Sequence, residues 1–235
     1  MCGRFAQVIK HDQLKKLTDE LKLQQTSDQL ELNYNVAPSQ TVVAIVAKAD
    51  IRYLGFFRWG LIPSWMKEIP DKVLINVRSE SILEKPSFKA SFIRRRCLVP
   101  ATGFYEWRTS DKQPFFIHAV DNDLIYMAGI YDLWTGADGS YVPSLGIITT
   151  DSNEIMKPIH HRMPLMLDSI TWDAWLNPAN QDPKLLNSLL VSNSDVNLSY
   201  YPVSKYVNSI NNNSPECLQK AESAIAQEDI FSLSN

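Results

Sequence analysis

Cysteine is scarce: the 235 residues hold three, Cys2, Cys97 and Cys217, an odd number and far apart. That count excludes a disulfide framework and fits a reducing compartment, so a cytoplasmic protein is expected. There is no Cys-x-x-Cys pair and no sign of an organic cofactor, so neither a metal nor a cofactor is expected. No apolar run approaches the ~20 residues of a membrane-crossing helix, and the N-terminus lacks the basic-then-apolar layout of a secretory signal. Basic charge is not in excess either, since 23 Lys and Arg against 26 Asp and Glu leave a net charge of −3. General attraction to a polyanion is excluded, and contact with nucleic acid must come from a local patch. No internal repeat marks a solenoid, and eight glycines with thirteen prolines imply many turns but no low-complexity tract.

What is present is an ordinary globular composition, 45% hydrophobic, long enough for one substantial core. A single domain over residues 1–235 is expected, with a weakly structured tail from about 215. Leu14, Leu17 and Leu21 at helical spacing predict an amphipathic helix over 12–23. The Asn- and Pro-containing run 33–39 predicts an ordered turn, and the β-rich runs 41–47 and 51–59 a hairpin. After the loop 60–65, a helix is expected to end near Arg96, carrying Lys85, Lys89, Arg94, Arg95 and Arg96 against Glu84 alone. This is the one concentrated basic region and the candidate phosphate-tracking surface. Strands are expected over 97–99, 103–108, 114–120, 124–134, 145–150, 163–167 and 198–203, and helices over 152–159, 169–176 and 182–191. Short polar links and no regular β-α-β alternation point to an α+β fold, a largely antiparallel, barrel-like β core with peripheral helices.

Chemistry concentrates at the start, Met1-Cys2-Gly3-Arg4-Phe5. Once Met1 is removed, Cys2 carries an α-amine and a thiol on one carbon. The amine can form a Schiff base with an aldehyde, and the thiol can then close a thiazolidine ring on the imine carbon. Arg4 could pair with an anion such as a phosphate. Glu106, in Phe104-Tyr105-Glu106-Trp107, is either a carboxyl held among aromatics with a raised pKa or a strand residue facing water. In His160-His161-Arg162 one histidine can serve a site as proton carrier, or stand as a satisfied structural residue. Asn35 and Asn76 read as loop donors or turn formers, Arg78 as a phosphate grip or a surface ion pair, and Trp59 and Trp65 as base-stacking rings or core.

Eight segments in order strengthen these signals: Met-Cys-Gly-Arg-Phe at 1–5, Tyr-Asn-Val-Ala-Pro at 34–38, Trp-Gly-Leu-Ile-Pro-Ser-Trp at 59–65, Ile-Asn-Val-Arg-Ser-Glu at 75–80, Gly-Phe-Tyr-Glu-Trp at 103–107, Gln-Pro-Phe-Phe-Ile at 113–117, Ile-His-His-Arg-Met-Pro at 159–164 and Pro-Val-Ser at 202–204. Together they resemble the SRAP family, the SOS-response-associated peptidase domain of abasic-site-shielding proteins. The resemblance implies loss of Met1 by self-cleavage and covalent capture of abasic sites in single-stranded DNA through Cys2 as a thiazolidine, with lyase chemistry as a side path. It implies that Cys2 is the nucleophile, that Asn35 positions the amine or sugar, that Glu106 is the acid/base and that His160 takes part in ring opening. It places Arg4, Trp59, Trp65, Asn76, Arg78, Thr149 and Arg162 where the family contacts DNA. The implied partner is single-stranded DNA bearing abasic sites, at the nucleoid when bound, with no membrane and no obligate protein partner. Two positions depart from the family: Met66 stands where a second Trp is common, and His161 where an acid is common. Two other readings remain, a cysteine peptidase acting in trans and a non-catalytic single-stranded nucleic-acid binding module.

Overall fold

The computed structural model describes residues 2–24, 30–121, 123–191 and 196–221. In chain order the elements are β1 (Arg4–Gln7), α1 (His11–Leu21), β2 (Asn33–Val36), β3 (Thr41–Lys48), β4 (Ile51–Trp59), β5 (Asn76–Arg78), α2 (Pro86–Arg94), β6 (Arg96–Ala101), β7 (Gly103–Trp107), β8 (Pro114–Ala119), β9 (Ile125–Thr135), β10 (Tyr141–Asp151), β11 (Arg162–Pro164), α3 (Ser169–Leu176), α4 (Pro183–Ser188) and β12 (Leu198–Pro202). Short 3-10 turns cover Ser79–Ser81, Lys205–Asn208 and Pro215–Leu218. No helix among the described residues is long and apolar enough to cross a membrane.

Five strands close a barrel in the order β10-β4-β3-β6-β9, with β9 returning to β10. The pairings are antiparallel except that β10 runs parallel to β4, and to the short β5 that pairs with it outside the ring. Strand alternation sorts the side chains. Val42, Ala44, Val46, Cys97, Val99, Leu145 and Ile147 share one core cluster with Cys2 and Phe5. Ile45, Leu98, Ile130 and Ile148, on the opposite faces of the same strands, join Leu14, Leu17, Leu21, Phe92 and Trp175 from the helices. The helices therefore cover the barrel's outside, and α1 buries the leucine stripe that its spacing predicts. A second, fully antiparallel sheet, β12-β8-β7-β1-β2, packs beside the barrel and carries the N-terminus. The fold is α+β with a barrel-like, largely antiparallel core, as the segment pattern indicates. A Cβ on Gly103 would lie 2.3 Å from the Ile117 carbonyl oxygen, so the close approach of β7 to β8 requires glycine there.

Local readings differ in five places. The run 33–36 is a strand, not a turn: Val36 and Asn33 pair with Phe5 and Gln7 of β1, and the turn is left to Pro38 and Ser39, which takes a left-handed φ of 73°. Asn76 lies on β5 rather than in a loop. Residues 154–159 form successive turns instead of a helix. The strand expected over 163–167 is shorter, β11 followed by an isolated bridge at Met166. Ordered packing continues past 215: Cys217 is buried, Lys220 bridges Val203, and Ala221 N–H donates to the Pro202 carbonyl at 2.9 Å. The weakly structured tail, expected from about 215, lies from 222 on outside the described residues.

The basic run is the largest correction. Arg96 is 4% exposed and its guanidinium donates to five carbonyls, those of Phe92, Ile93, Trp175, Asn177 and Asn180. It satisfies the orphan carbonyls where α2 and α3 end, and burial lowers its pKa to about 10. Arg95 is half-buried against Asp132. Only Lys85, Lys89 and Arg94 of that stretch face solvent.

Candidate catalytic site around Cys2

β1 pairs antiparallel with β7, placing Phe5 opposite Phe104 and Arg4 opposite Tyr105. Continued one step, the register sets Gly3 opposite Glu106. Glu106 thus faces the same side as Phe104, toward the cluster that contains Cys2. Cys2 is fully buried, its Sγ 3.7 Å from the Arg4 carbonyl oxygen. Burial, and next the Glu106 carboxylate, push the thiol's pKa far up, so Cys2 rests as a neutral thiol. Glu106 is 3% exposed and burial raises its pKa, which decides for the buried carboxyl over a strand residue facing water.

The two asparagines exchange their expected places. Asn76 Nδ2 donates to the Cys2 carbonyl at 2.8 Å, while its buried Oδ1 has no partner among the described residues. Asn35 is committed elsewhere: its Nδ2 donates to the carbonyls of Val207, Ser209 and Asn212 at 3.2, 2.9 and 2.8 Å, and its Oδ1 accepts from Arg4 Nη1 at 2.7 Å. The geometry ties Asn35 to the C-terminal segment rather than to Cys2. Arg4 shares that duty, donating to the Val207 and Asn208 carbonyls at 3.0 and 3.2 Å with its guanidinium 6.0 Å from the centre of the Trp107 ring. Neither residue stands ready for a phosphate.

His160 follows Ile159, a member of the Cys2 cluster whose carbonyl accepts from Thr109 N–H at 3.2 Å, just beyond the end of β7. Its Nδ1 accepts from Arg162 N–H at 3.0 Å, which leaves the proton of the neutral ring on Nε2. The ring stacks on His161 with centroids 4.4 Å apart, and burial lowers its pKa. Arg162 is an anchor: its guanidinium binds Glu80 through both carboxylate oxygens, Asp151 at 3.0 Å, and Thr149 through carbonyl and hydroxyl at 2.7 and 3.2 Å. Thr149 itself is fully buried. These bonds lock β11 to β10 and to the turn after β5, so Arg162 and Thr149 act through position. Glu80 and Asp151, which hold this anchor, were not read from the sequence, where no local pattern relates residues 82 and 11 positions apart.

Trp59 is fully buried, edge-on to Phe5 at 4.9 Å, with Nε1 donating to the Ile75 carbonyl at 3.0 Å. Its ring is part of the core and offers no face to a base. Trp65 is 65% exposed, and Arg78 on β5 is exposed as well. Of the expected contact residues, these two present side chains to solvent. No group of three His, Cys, Asp or Glu among the described residues could hold a metal ion.

Fold and site together define a class: α+β proteins on a closed five-stranded barrel in which the second residue of the chain is buried between a raised-pKa carboxyl and the asparagine that fixes its carbonyl. The chain belongs to the SOS response associated peptidase (SRAP) family, whose profile matches residues 1–210. It is 39% identical over 227 residues to the abasic site processing protein YoqW of Bacillus subtilis, covering 93% of this chain and 99% of that one. It is 34% identical over 235 residues to the abasic site processing protein HMCES of Gallus gallus, covering 83% of this chain and 68% of that one. A crystal structure of a protein from Bacteroides thetaiotaomicron superposes with a TM-score of 0.80 at 30% identity, covering 94% of this chain and all of that one.

Proposed function

We propose that this protein handles DNA damage by capturing abasic sites in single-stranded DNA on Cys2, once Met1 has been removed. One observation carries the reading: the residue that removal of Met1 would leave as a 1,2-aminothiol is buried beside the raised-pKa Glu106 and fixed by Asn76. The names of the relatives support the substrate, because an abasic site in its ring-opened form is an aldehyde.

The protonation states suit the sequence of steps. The α-amine of Cys2 adds to the sugar C1′ and gives a carbinolamine. Glu106, whose hold on a proton is strengthened by burial, in its protonated form gives that proton to the departing hydroxyl, which leaves as water. The carboxylate so formed takes the proton of the Cys2 thiol, and the thiolate adds to the iminium carbon to close the thiazolidine. Glu106 ends protonated, as it began. The unpaired Oδ1 of Asn76 is available to accept from the α-amine and hold it for attack. His160, neutral at physiological pH, is the second proton carrier, for reopening the ring. The iminium also acidifies the C2′ protons, so loss of the 3′ phosphate by β-elimination competes with ring closure. Hydrolysis of the Met1–Cys2 bond by the same groups is the self-cleavage that precedes capture. Exposed Trp65 and Arg78 would meet a base and a phosphate.

Incubation of Met1-free protein with single-stranded DNA carrying one abasic site, followed by a denaturing gel, tests the reading. A heat-stable shifted band is expected, lost in Cys2→Ala and retained in Cys97→Ala and Cys217→Ala. Absence of the band from processed protein, or its survival in Cys2→Ala, would overturn the assignment.

A further inference from the structure

The loop that carries Trp65 is fastened in an unusual way. It leaves β4 at Gly60, whose φ of +134° and 2.8 Å approach to Val73 leave no room for a Cβ. Every second residue is then bonded by a buried side chain of the β9–β10 ladder. Ile62 N–H donates to Ser144 Oγ at 2.8 Å, Ser64 N–H to Asp132 Oδ2 at 3.0 Å, and Trp134 Nε1 donates to the Met66 carbonyl at 2.7 Å. Ser144 lies directly opposite Asp132, and Trp134 two residues further along β9, so the three form a row on one face of the ladder. They are 0%, 4% and 5% exposed. Between the second and third of these fastenings stands Trp65, 65% exposed.

Asp132 does more than hold the loop. Its carboxylate also accepts from Leu133 N–H at 2.8 Å and from Ser91 Oγ at 3.3 Å, and lies 3.2 Å from Arg95 Nη2. Ser91 is on α2 and Arg95 is its C-terminal cap; Lys89 and Arg94 on the helix and Lys85 at its N-cap are exposed. One buried carboxylate therefore joins the exposed ring's loop to the helix that bears the free basic charges. Burying a charge this way adds little stability compared with apolar packing, and its best-attested benefit is a fixed geometry. An aromatic ring held out in water on an immobilised backbone has already given up the freedom that binding would otherwise cost.

We infer that Asp132, assisted by Ser144 and Trp134, is a positioning residue that presents Trp65 as a preformed stacking platform on a loop fastened to β9, β10 and α2. The inference rests on the single-stranded DNA reading above and assigns how the strand is met: one base stacks on a ring whose backbone is already fixed.

The test is a double-mutant cycle read by fluorescence anisotropy of a labelled single-stranded oligonucleotide with one tetrahydrofuran residue, an abasic analogue that has no aldehyde and cannot be captured. Trp65→Ala is expected to weaken binding by about tenfold. Trp134→Phe, which keeps a ring but removes the N–H, and Asp132→Asn are each expected to weaken it by roughly three- to tenfold in the parent and not at all in the Trp65→Ala background. A merely structural role would lower the melting temperature without that coupling. If Asp132→Asn proves unstable, Trp134→Phe and Ser144→Ala carry the cycle. Equal losses in both backgrounds, or no loss in the parent, would overturn the positioning role and leave the DNA reading intact. An unaffected Trp65→Ala would overturn the platform itself, while the capture gel with Cys2→Ala judges the DNA reading separately.

Discussion

At the scale of single residues, the site is held by groups whose protonation is set by burial. Glu106 shows the consequence for stability. A carboxyl with a folded-state pKa above its unfolded value binds its proton more tightly when folded. Its cost to folding is absent below the unfolded pKa of about 4.3 and grows as pH rises through the folded value. Glu106→Gln should therefore melt with the parent near pH 4 and above it by at least ~2 °C at pH 8, in thermal scans across that range, while capturing abasic DNA more slowly. The local setting of Glu106 left burial and exposure both open in the sequence, and its place near Cys2 followed only from the family resemblance. The asparagines were not legible. Asn35 and Asn76 have the same chemistry and similar neighbours, and only the pairing of β5 with β10 decides which one reaches the Cys2 carbonyl.

At the scale of elements, periodicity carried the reading where one face meets the core. Leu14, Leu17 and Leu21 gave α1, and the β3–β4 hairpin followed from two β-rich runs joined at Ala49, whose φ of 51° marks the turn. Turn-forming residues misled at β2, where sheet partners outweighed the local preference of Asn. The basic run misled for a related reason: charge in sequence says nothing about carbonyls arriving from another helix. Arg96 receives three of its five acceptors from residues 79 to 84 positions away. Arg96→Met keeps much of the side-chain volume but strands those carbonyls, and should cost roughly 2–4 kcal/mol in urea unfolding with an unchanged slope. DNA affinity should be little altered in the folded fraction, because Arg96 does not face solvent. A large loss of affinity at unchanged stability would return it to the binding surface.

At the scale of the whole molecule, β1 and the segment 205–221 are one structure. Arg4 and Asn35 bind the carbonyls of residues 207–212, and Val207 and Cys217 pack with Ala6 and Tyr105 in a third core cluster. Asn35→Ala removes a buried bond donor to that segment, and should lower stability by ~2 kcal/mol and open residues 205–221 to limited proteolysis. Capture by the folded protein should continue at nearly the parental rate, whereas Asn76→Ala should slow it at least ~10-fold. The reverse ranking would restore Asn35 to the chemistry.

The clasp between β1 and that segment also sets an order of events. Arg4 and Val207 are 203 residues apart, and at about 5–20 residues per second the ribosome needs roughly 10–40 s to make the second after the first. During that interval β1 is without the clasp that Arg4 makes. A protease or modifying enzyme that works on nascent chains meets the N-terminal strand before the clasp closes, and the fully clasped strand exists only once residues 207–212 are made. The final setting of β1 is thus timed by the synthesis of a segment some 200 residues later.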